Sequence, residues 1–130
     1  MEKKALDQGL VKEFVQVAHG DLERVKKLLE REPALINASW DWGGGDWESS
    51  LGAASHTGNK VIARHLLEKG ARMDVFCAAM LGKVDIVKAF LAEPGGSAAQ
   101  KGAHGIPLIV HATAGGQEEV IHLLKAHGAV

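Results

Sequence analysis

Apolar residues recur at the same distances after four glycines, which are Gly20, Gly58, Gly82 and Gly115. Each glycine is followed five positions later by Val or Ala, and eight and nine positions later by a pair of large apolar residues. The pairs are Leu28–Leu29, Leu66–Leu67, Phe90–Leu91 and Leu123–Leu124. Offsets of five, eight and nine fall on one stripe of an α-helix. The pattern therefore predicts four amphipathic helices in equivalent positions.

A second, shorter helix is predicted just before three of these glycines. Leu51, Val75 and Leu108 each lie seven residues before their glycine, and small residues such as Ala53–Ala54 and Ala78–Ala79 recur around them. Small side chains let neighbouring helices approach closely, and glycine accepts the left-handed backbone that ends a helix. The predicted unit is therefore a helix, a tight glycine turn and a second helix. A looser first unit surrounds the remaining glycine.

The segments that carry these units resemble ankyrin repeats. Pro107–Leu108 matches the Pro-Leu of the family's Thr-Pro-Leu-His motif, and Gly70–Ala71 and Gly128–Ala129 match its closing Gly-Ala pair. The resemblance implies an all-α ankyrin-repeat solenoid of stacked helix-turn-helix pairs with short β-hairpin or loop fingers. It covers nearly the whole chain as one domain, residues 1–130, with approximate repeats 5–38, 39–71, 72–101 and 102–130.

The spacing of the units departs from the family's period of about 33 residues. The four glycines are separated by 38, 24 and 33 residues. The first interval has extra residues, which fall at Trp40–Glu48, the segment WDWGGGDWE. The second interval is short, so GARMDVFCAAM at 70–80 passes almost directly between units. We therefore expect an enlarged finger between units one and two, and a short or missing finger between units two and three.

The enlarged finger has the composition of a tight hairpin. Its three glycines accept positive φ, with Trp40 and Trp42 on the same side of the first arm. Trp47 on the return arm is placed to pair with one of them across the hairpin. The finger is open to three interpretations: a structural clamp over the gap left by the missing finger, a surface for a partner or ligand, or a catalytic loop.

The residues just before each glycine extend the candidate binding side, because in ankyrin stacks they usually face outward there. Met80 and Leu81 occupy these positions in the third unit, where they either meet an apolar partner or sink into the core. The candidate binding residues are Trp40, Trp42, Asp46, Trp47, Glu48, His56, Met80, Leu81 and His104.

The favoured function is non-catalytic binding of a protein partner, without a cofactor. The alternative is a small-molecule or metal-binding pocket, with or without catalysis, between the finger and His56, His104 and His111. No His-Glu-x-x-His, Cys-x-x-Cys, Gly-x-Ser-x-Gly or phosphate-loop motif is present. We therefore expect a binding protein rather than an enzyme, and we predict no set of metal ligands.

Composition narrows the classes of partner. The net charge of -1 gives no electrostatic footprint for nucleic acid or an anionic membrane. No run approaches the roughly 20 apolar residues of a membrane span, and the first residues lack a secretory apolar region. Cys77 is the only cysteine, so we expect a cytoplasmic protein without an internal disulfide. The last unit, KAHGAV, offers an apolar end for self-association.

Overall fold

The computed structural model describes residues 3–130 and is mostly helical, as predicted. The described residues form eight α-helices and one two-stranded hairpin. The helices are α1 (Gln8–Val17), α2 (Leu22–Arg31), α3 (Ser50–His56), α4 (Lys60–Glu68), α5 (Val75–Leu81), α6 (Val84–Ala92), α7 (Leu108–Ala114) and α8 (Glu118–Ala126). The strands are β1 (Ser39–Asp41) and β2 (Trp47–Ser49).

Local sequence signals set where several helices begin. Asp21, Ser49, Asn59 and Asp74 each precede a helix, and each side chain accepts a hydrogen bond from a backbone N–H of the first turn. Such caps satisfy donors that have no partner within the helix. The predicted pairing of a shorter helix with a longer amphipathic one is present three times, in α3–α4, α5–α6 and α7–α8, while the first pair has two helices of ten residues.

The glycine corners follow the prediction at two of the four positions. Gly58 and Gly82 have φ of 69° and 77°, the left-handed conformation expected at a helix end. Gly20 and Gly115 do not have positive φ, so the prediction is wrong for them.

Gly115 is required for close packing instead. A Cβ at this position would lie 1.9 Å from the carbonyl oxygen of Met80 at the end of α5. The left-handed residue of this corner is the next one, Gly116, with φ of 68°. Glycine at 115 therefore lets α7 approach the backbone of α5.

The first helices of the four pairs, α1, α3, α5 and α7, pack side by side in chain order, and the second helices contact one another in the pairs α2–α4 and α6–α8. The buried residues divide into two apolar clusters. One lies mainly in the first two helix pairs and includes Phe14, Leu35 and Leu66. The other lies in the last two pairs and includes Val87, Leu108 and Leu124. No helix among residues 3–130 has the length and apolar character needed to cross a membrane.

The enlarged finger is the β1–β2 hairpin. Gly43, Gly44 and Gly45 all have positive φ, and the Asp41 carboxylate accepts hydrogen bonds from the first and last of their N–H groups. The pairing register places Trp47 opposite Asp41, so the expected tryptophan pair across the hairpin does not form.

The connections between pairs differ in length, as predicted. Six residues, Lys69 to Asp74, connect α4 to α5 without a strand. The connection from α6 to α7 is longer and contains a 3₁₀ turn at Ala103–Gly105. A β-bridge between Lys101 and Pro107 closes the base of this second finger. With no finger between them, the hairpin and the 3₁₀ turn come into direct contact.

The close approach at Gly115 gives the first prediction. Gly115→Ala forces α7 away from α5, so the free energy of unfolding falls by about 1–3 kcal/mol, as for other overpacked positions. The matched control is Gly20→Ala at the equivalent corner, where a Cβ meets no atom within 4 Å. Urea unfolding of both variants measures the difference. Equal stability of the two would contradict the packing argument.

Candidate metal centre

The centre of the site is the carboxylate of Glu48, a charged group with no solvent-exposed side-chain area. Glu48 lies in β2, just before α3. Its Cγ would be 3.7 Å from a Cβ at position 52, an ordinary contact distance, so the side chain lies against the first turn of this helix. A buried carboxylate is costly unless hydrogen bonds or opposite charge compensate it.

Four nitrogen atoms surround the two oxygens of Glu48. The indole Nε1 of Trp42 donates to Oε1 at 3.0 Å, and Nε2 of His19 lies 3.2 Å from the same oxygen. Nε2 of His56 and Nε2 of His104 lie 3.0 Å and 3.3 Å from Oε2. Each carboxylate oxygen is thus approached by two ring nitrogens.

The four rings come from separate parts of the chain. His19 follows α1, Trp42 follows β1, His56 ends α3, and His104 lies in the 3₁₀ turn. The ring centroids are 5.1 Å apart for His19–His56 and 5.5 Å apart for His56–His104. They are 6.2 Å apart for Trp42–His104 and 6.5 Å apart for His19–Trp42. The rings therefore form a closed cycle around the carboxylate.

The other ring nitrogen of two of these histidines is already engaged. Nδ1 of His19 lies 3.1 Å and 2.9 Å from the carbonyl oxygens of Val15 and Gln16, which can only accept. Nδ1 of His104 lies 2.6 Å from Oδ2 of Asp46, a carboxylate whose pKa is lowered first by the His104 backbone N–H. In both rings the proton is therefore on Nδ1. A neutral ring then presents the lone pair of Nε2 to Glu48.

A lone pair that faces a carboxylate oxygen at 3.2–3.3 Å is repelled by it. Something positive must lie between them, either a second proton on each imidazole or a metal ion. Nε2 of His56 and Oε2 of Glu48 also lie where a positive group would fit between them. Both atoms are buried, and neither has a hydrogen-bond partner of acceptable geometry among the described residues, although they are 3.0 Å apart.

The backbone of His104 is held in an unfavourable conformation. Its φ is 60°, and it is the one non-glycine residue with positive φ among those described. A Cβ makes this conformation costly, by about 1–2 kcal/mol. Asp46 holds the residue there, because Oδ1 accepts from the His104 backbone N–H at 2.7 Å while Oδ2 accepts from the ring. Strain of this kind is concentrated at functional sites.

The Glu48 carboxylate and the imidazoles around it shift one another's pKa values. Burial alone would raise the pKa of the Glu48 carboxyl, but the imidazoles of His19 and His56 outweigh it and hold that pKa well below its ordinary value. The Glu48 carboxylate in turn raises the pKa of His19. Glu48 is therefore an anion at neutral pH.

The candidate ligand atoms lie close to, but somewhat wider than, the spacing that a single ion requires. One atom each of His19, Glu48, His56 and His104 can be chosen so that all four lie within 4.8 Å of one another. An ion with bonds of about 2.0–2.2 Å to nitrogen and oxygen holds adjacent ligand atoms about 3–4 Å apart. A small contraction of the cluster is enough to bind the ion.

Asp46 and Trp42 complete the site outside this ligand set. A metal-binding histidine usually donates its other N–H to a carboxylate or a backbone carbonyl, which orients the ring. Asp46 does this for His104, and the carbonyls at the end of α1 do it for His19. The Trp42 N–H similarly orients the Glu48 carboxylate.

The structure thus brings together five of the predicted binding residues, which are Trp42, Asp46, Glu48, His56 and His104. The other four lie elsewhere. Trp40 packs on the first apolar cluster, Met80 is fully buried, Leu81 is partly buried, and Trp47 is 62% exposed. Met80 therefore belongs to the core and offers no surface to a partner.

His111 is not part of the cluster, although the alternative interpretation of the sequence included it. Its Nδ1 lies 2.9 Å from the carbonyl oxygen of Pro107, and its ring packs on Phe76 with centroids 4.8 Å apart. Burial lowers the pKa of His111, so this ring is neutral and structural.

His19 is the ligand that the sequence interpretation did not select. It lies one residue before Gly20, while the selected His56 lies two residues before Gly58. Alignment of the units could therefore have identified His19, because both histidines stand at the end of the first helix of a unit.

Comparison with models of known protein families gives no match, and comparison with curated proteins gives none either. The function must therefore be argued from the residues of the site.

The strain at His104 gives the second prediction. In metal-free buffer we expect His104→Gly to be more stable than His104→Ala by about 1 kcal/mol, because only the alanine retains a Cβ at positive φ. Both variants lose the imidazole, so that loss cancels in the comparison. Urea unfolding in the presence of a chelator measures the difference. An alanine variant as stable as the glycine variant would show that this backbone is not strained.

Proposed function

We propose that this protein binds one divalent transition-metal ion through His19, Glu48, His56 and His104. The observation that carries the proposal is the pair of rings, His19 and His104, whose Nδ1 atoms are engaged while their Nε2 atoms face a buried carboxylate. A metal ion provides the positive charge that this arrangement requires.

Protons are the competing explanation. They would require His19 and His104 to be imidazolium ions at the same time, with ring cations on both sides of His56. Like charges at such separations disfavour each other, although the carboxylates of Glu48 and Asp46 would each offset one of them. One divalent ion replaces both protons and also gives a partner to Nε2 of His56 and Oε2 of Glu48.

The donor set narrows the choice of metal. Three imidazole nitrogens and one carboxylate oxygen suit zinc, iron, copper or nickel. Calcium and magnesium prefer sets made of oxygen donors alone, so they are disfavoured. Cys77 is buried in the first apolar cluster and does not contribute a thiolate to the group.

An ankyrin-like stack is the scaffold that we propose for this site. Four helix pairs in order, with the first helix of each pair side by side, support it. In such a stack the ends of the first helices lie in a row beneath the fingers. The proposed ligands come from two helix ends and two fingers, as this arrangement requires.

Binding of a protein partner is a second candidate, favoured by the 62% exposure of Trp47. Large exposed aromatic side chains are common centres of interfaces. We expect Trp47→Ala to retain the wild-type stability and to weaken binding to a partner, once one has been isolated, as measured by calorimetry. Unchanged affinity would remove Trp47 from the interface.

The metal proposal predicts one bound ion per chain. We expect dialysis against zinc or cobalt, followed by elemental analysis, to give a ratio near one for the wild type. His56→Ala removes a ligand and should weaken binding by more than about 100-fold. Asp46→Asn leaves the ligand set intact but loses the carboxylate that orients His104, so a loss of about 10–100-fold is expected.

The matched control is His122→Ala, because His122 is exposed on α8 and lies outside the cluster. It should bind metal as the wild type does. Circular dichroism of each variant checks that the helices remain folded. A wild-type protein that retains no ion, or a His56→Ala variant that binds as tightly as the wild type, would refute the proposal.

A further inference from the structure

The four rings around Glu48 are not equivalent as ligands. Around the cycle the order is His19, His56, His104 and Trp42, so Trp42 lies across the cycle from His56. Three corners present an imidazole nitrogen. The fourth presents an indole, whose N–H is a donor only and cannot bind a metal.

The site is also open on one side. The side chain of Glu48 has no exposed area and that of His56 is 16% exposed, so these two form the inner wall. The side chains of His19 and His104, which flank Trp42 on either side, are 31% and 34% exposed. Trp42 is itself partly exposed, so the solvent-facing side of the cluster is the one away from Glu48 and His56.

We infer, on the basis of the proposed metal site, that the bound ion keeps an exchangeable coordination position beside Trp42 which accepts a small monoanionic ligand. Four protein ligands close a tetrahedral zinc site, so a further position requires a coordination number of five or six. Here the four protein ligands occupy the inner wall and two flanking corners, and the corner opposite His56 has no protein ligand. Transition metals with coordination numbers of five or six fill such positions with water or substrate.

The charge of the ion and its four ligands, counted without the neighbouring Asp46 carboxylate, favours an anion. A divalent ion with three neutral imidazoles and the Glu48 carboxylate retains one net positive charge. Asp46 lies outside the ligand set, on the far side of the His104 ring, where it accepts the Nδ1 proton. One small monoanion that donates oxygen or nitrogen, such as a carboxylate, completes the coordination and neutralises the ion. The indole of Trp42 forms a flat apolar wall beside it.

Cobalt(II) tests this inference, because its visible absorption changes when its ligands change. The full chain is loaded with cobalt and titrated with sodium azide, with sodium perchlorate at the same ionic strength as the non-coordinating control. We expect azide, but not perchlorate, to shift the cobalt bands in a saturable way with a ratio of one azide per ion.

Two variants locate the position. Trp42→Phe keeps an aromatic ring but shortens it and removes the N–H that orients Glu48, so it is loaded at a cobalt concentration that saturates the weakened site and should then bind azide more weakly than the wild type. Trp47→Ala removes an exposed indole outside the cycle and should bind azide as the wild type does. If both variants bind azide as the wild type does, the position is not beside Trp42 and the inference is wrong.

The test separates this inference from the proposed function. Cobalt bands that appear on loading but do not respond to azide would overturn the exchangeable position and leave the metal site intact. A failure of the cobalt bands to appear would overturn the metal site itself, and the inference with it.

Discussion

The arrangement of the fingers and helix ends depends on a carboxylate that is buried with its charge. The Glu48 side chain has no exposed area, yet its pKa lies below that of a carboxyl in water. This is possible only because the Trp42 N–H and three imidazoles converge on the two oxygens. Removing one partner from such a group leaves the others unsatisfied, so the cluster is maintained as a unit.

The short connection between α4 and α5 is what allows these groups to meet. A full-length finger there would separate the β1–β2 hairpin from the 3₁₀ turn of the last finger. Without it, Asp46 of the hairpin reaches both the backbone and the ring of His104, 58 residues further along the chain. The contact joins elements associated with the two apolar clusters, which a metal ion at Glu48 would connect more firmly.

Much of this architecture is predictable from the sequence, because it follows from local periodicity. The repeated offsets after the glycines predict the helix pairs, and the uneven glycine spacing predicts one long finger and one missing finger. Side-chain direction was harder to predict. Nothing in the local sequence distinguishes the buried Glu48 from its neighbour Trp47, which is exposed, because that choice depends on the register of a short hairpin. The cluster also lacks a motif, since its histidines come from separate units, and His111 was an equally reasonable member before its packing on Phe76 was known.

The direct test of the account is a crystal structure of the zinc-loaded protein, with diffraction data measured on both sides of the zinc absorption edge. We expect one anomalous peak per chain, about 2.0–2.2 Å from Nε2 of His19, His56 and His104 and from an oxygen of Glu48. Zinc bound only at other places, with the imidazoles still hydrogen-bonded directly to the Glu48 carboxylate, would contradict it. The cluster would then be a charged hydrogen-bond network that holds the two fingers together.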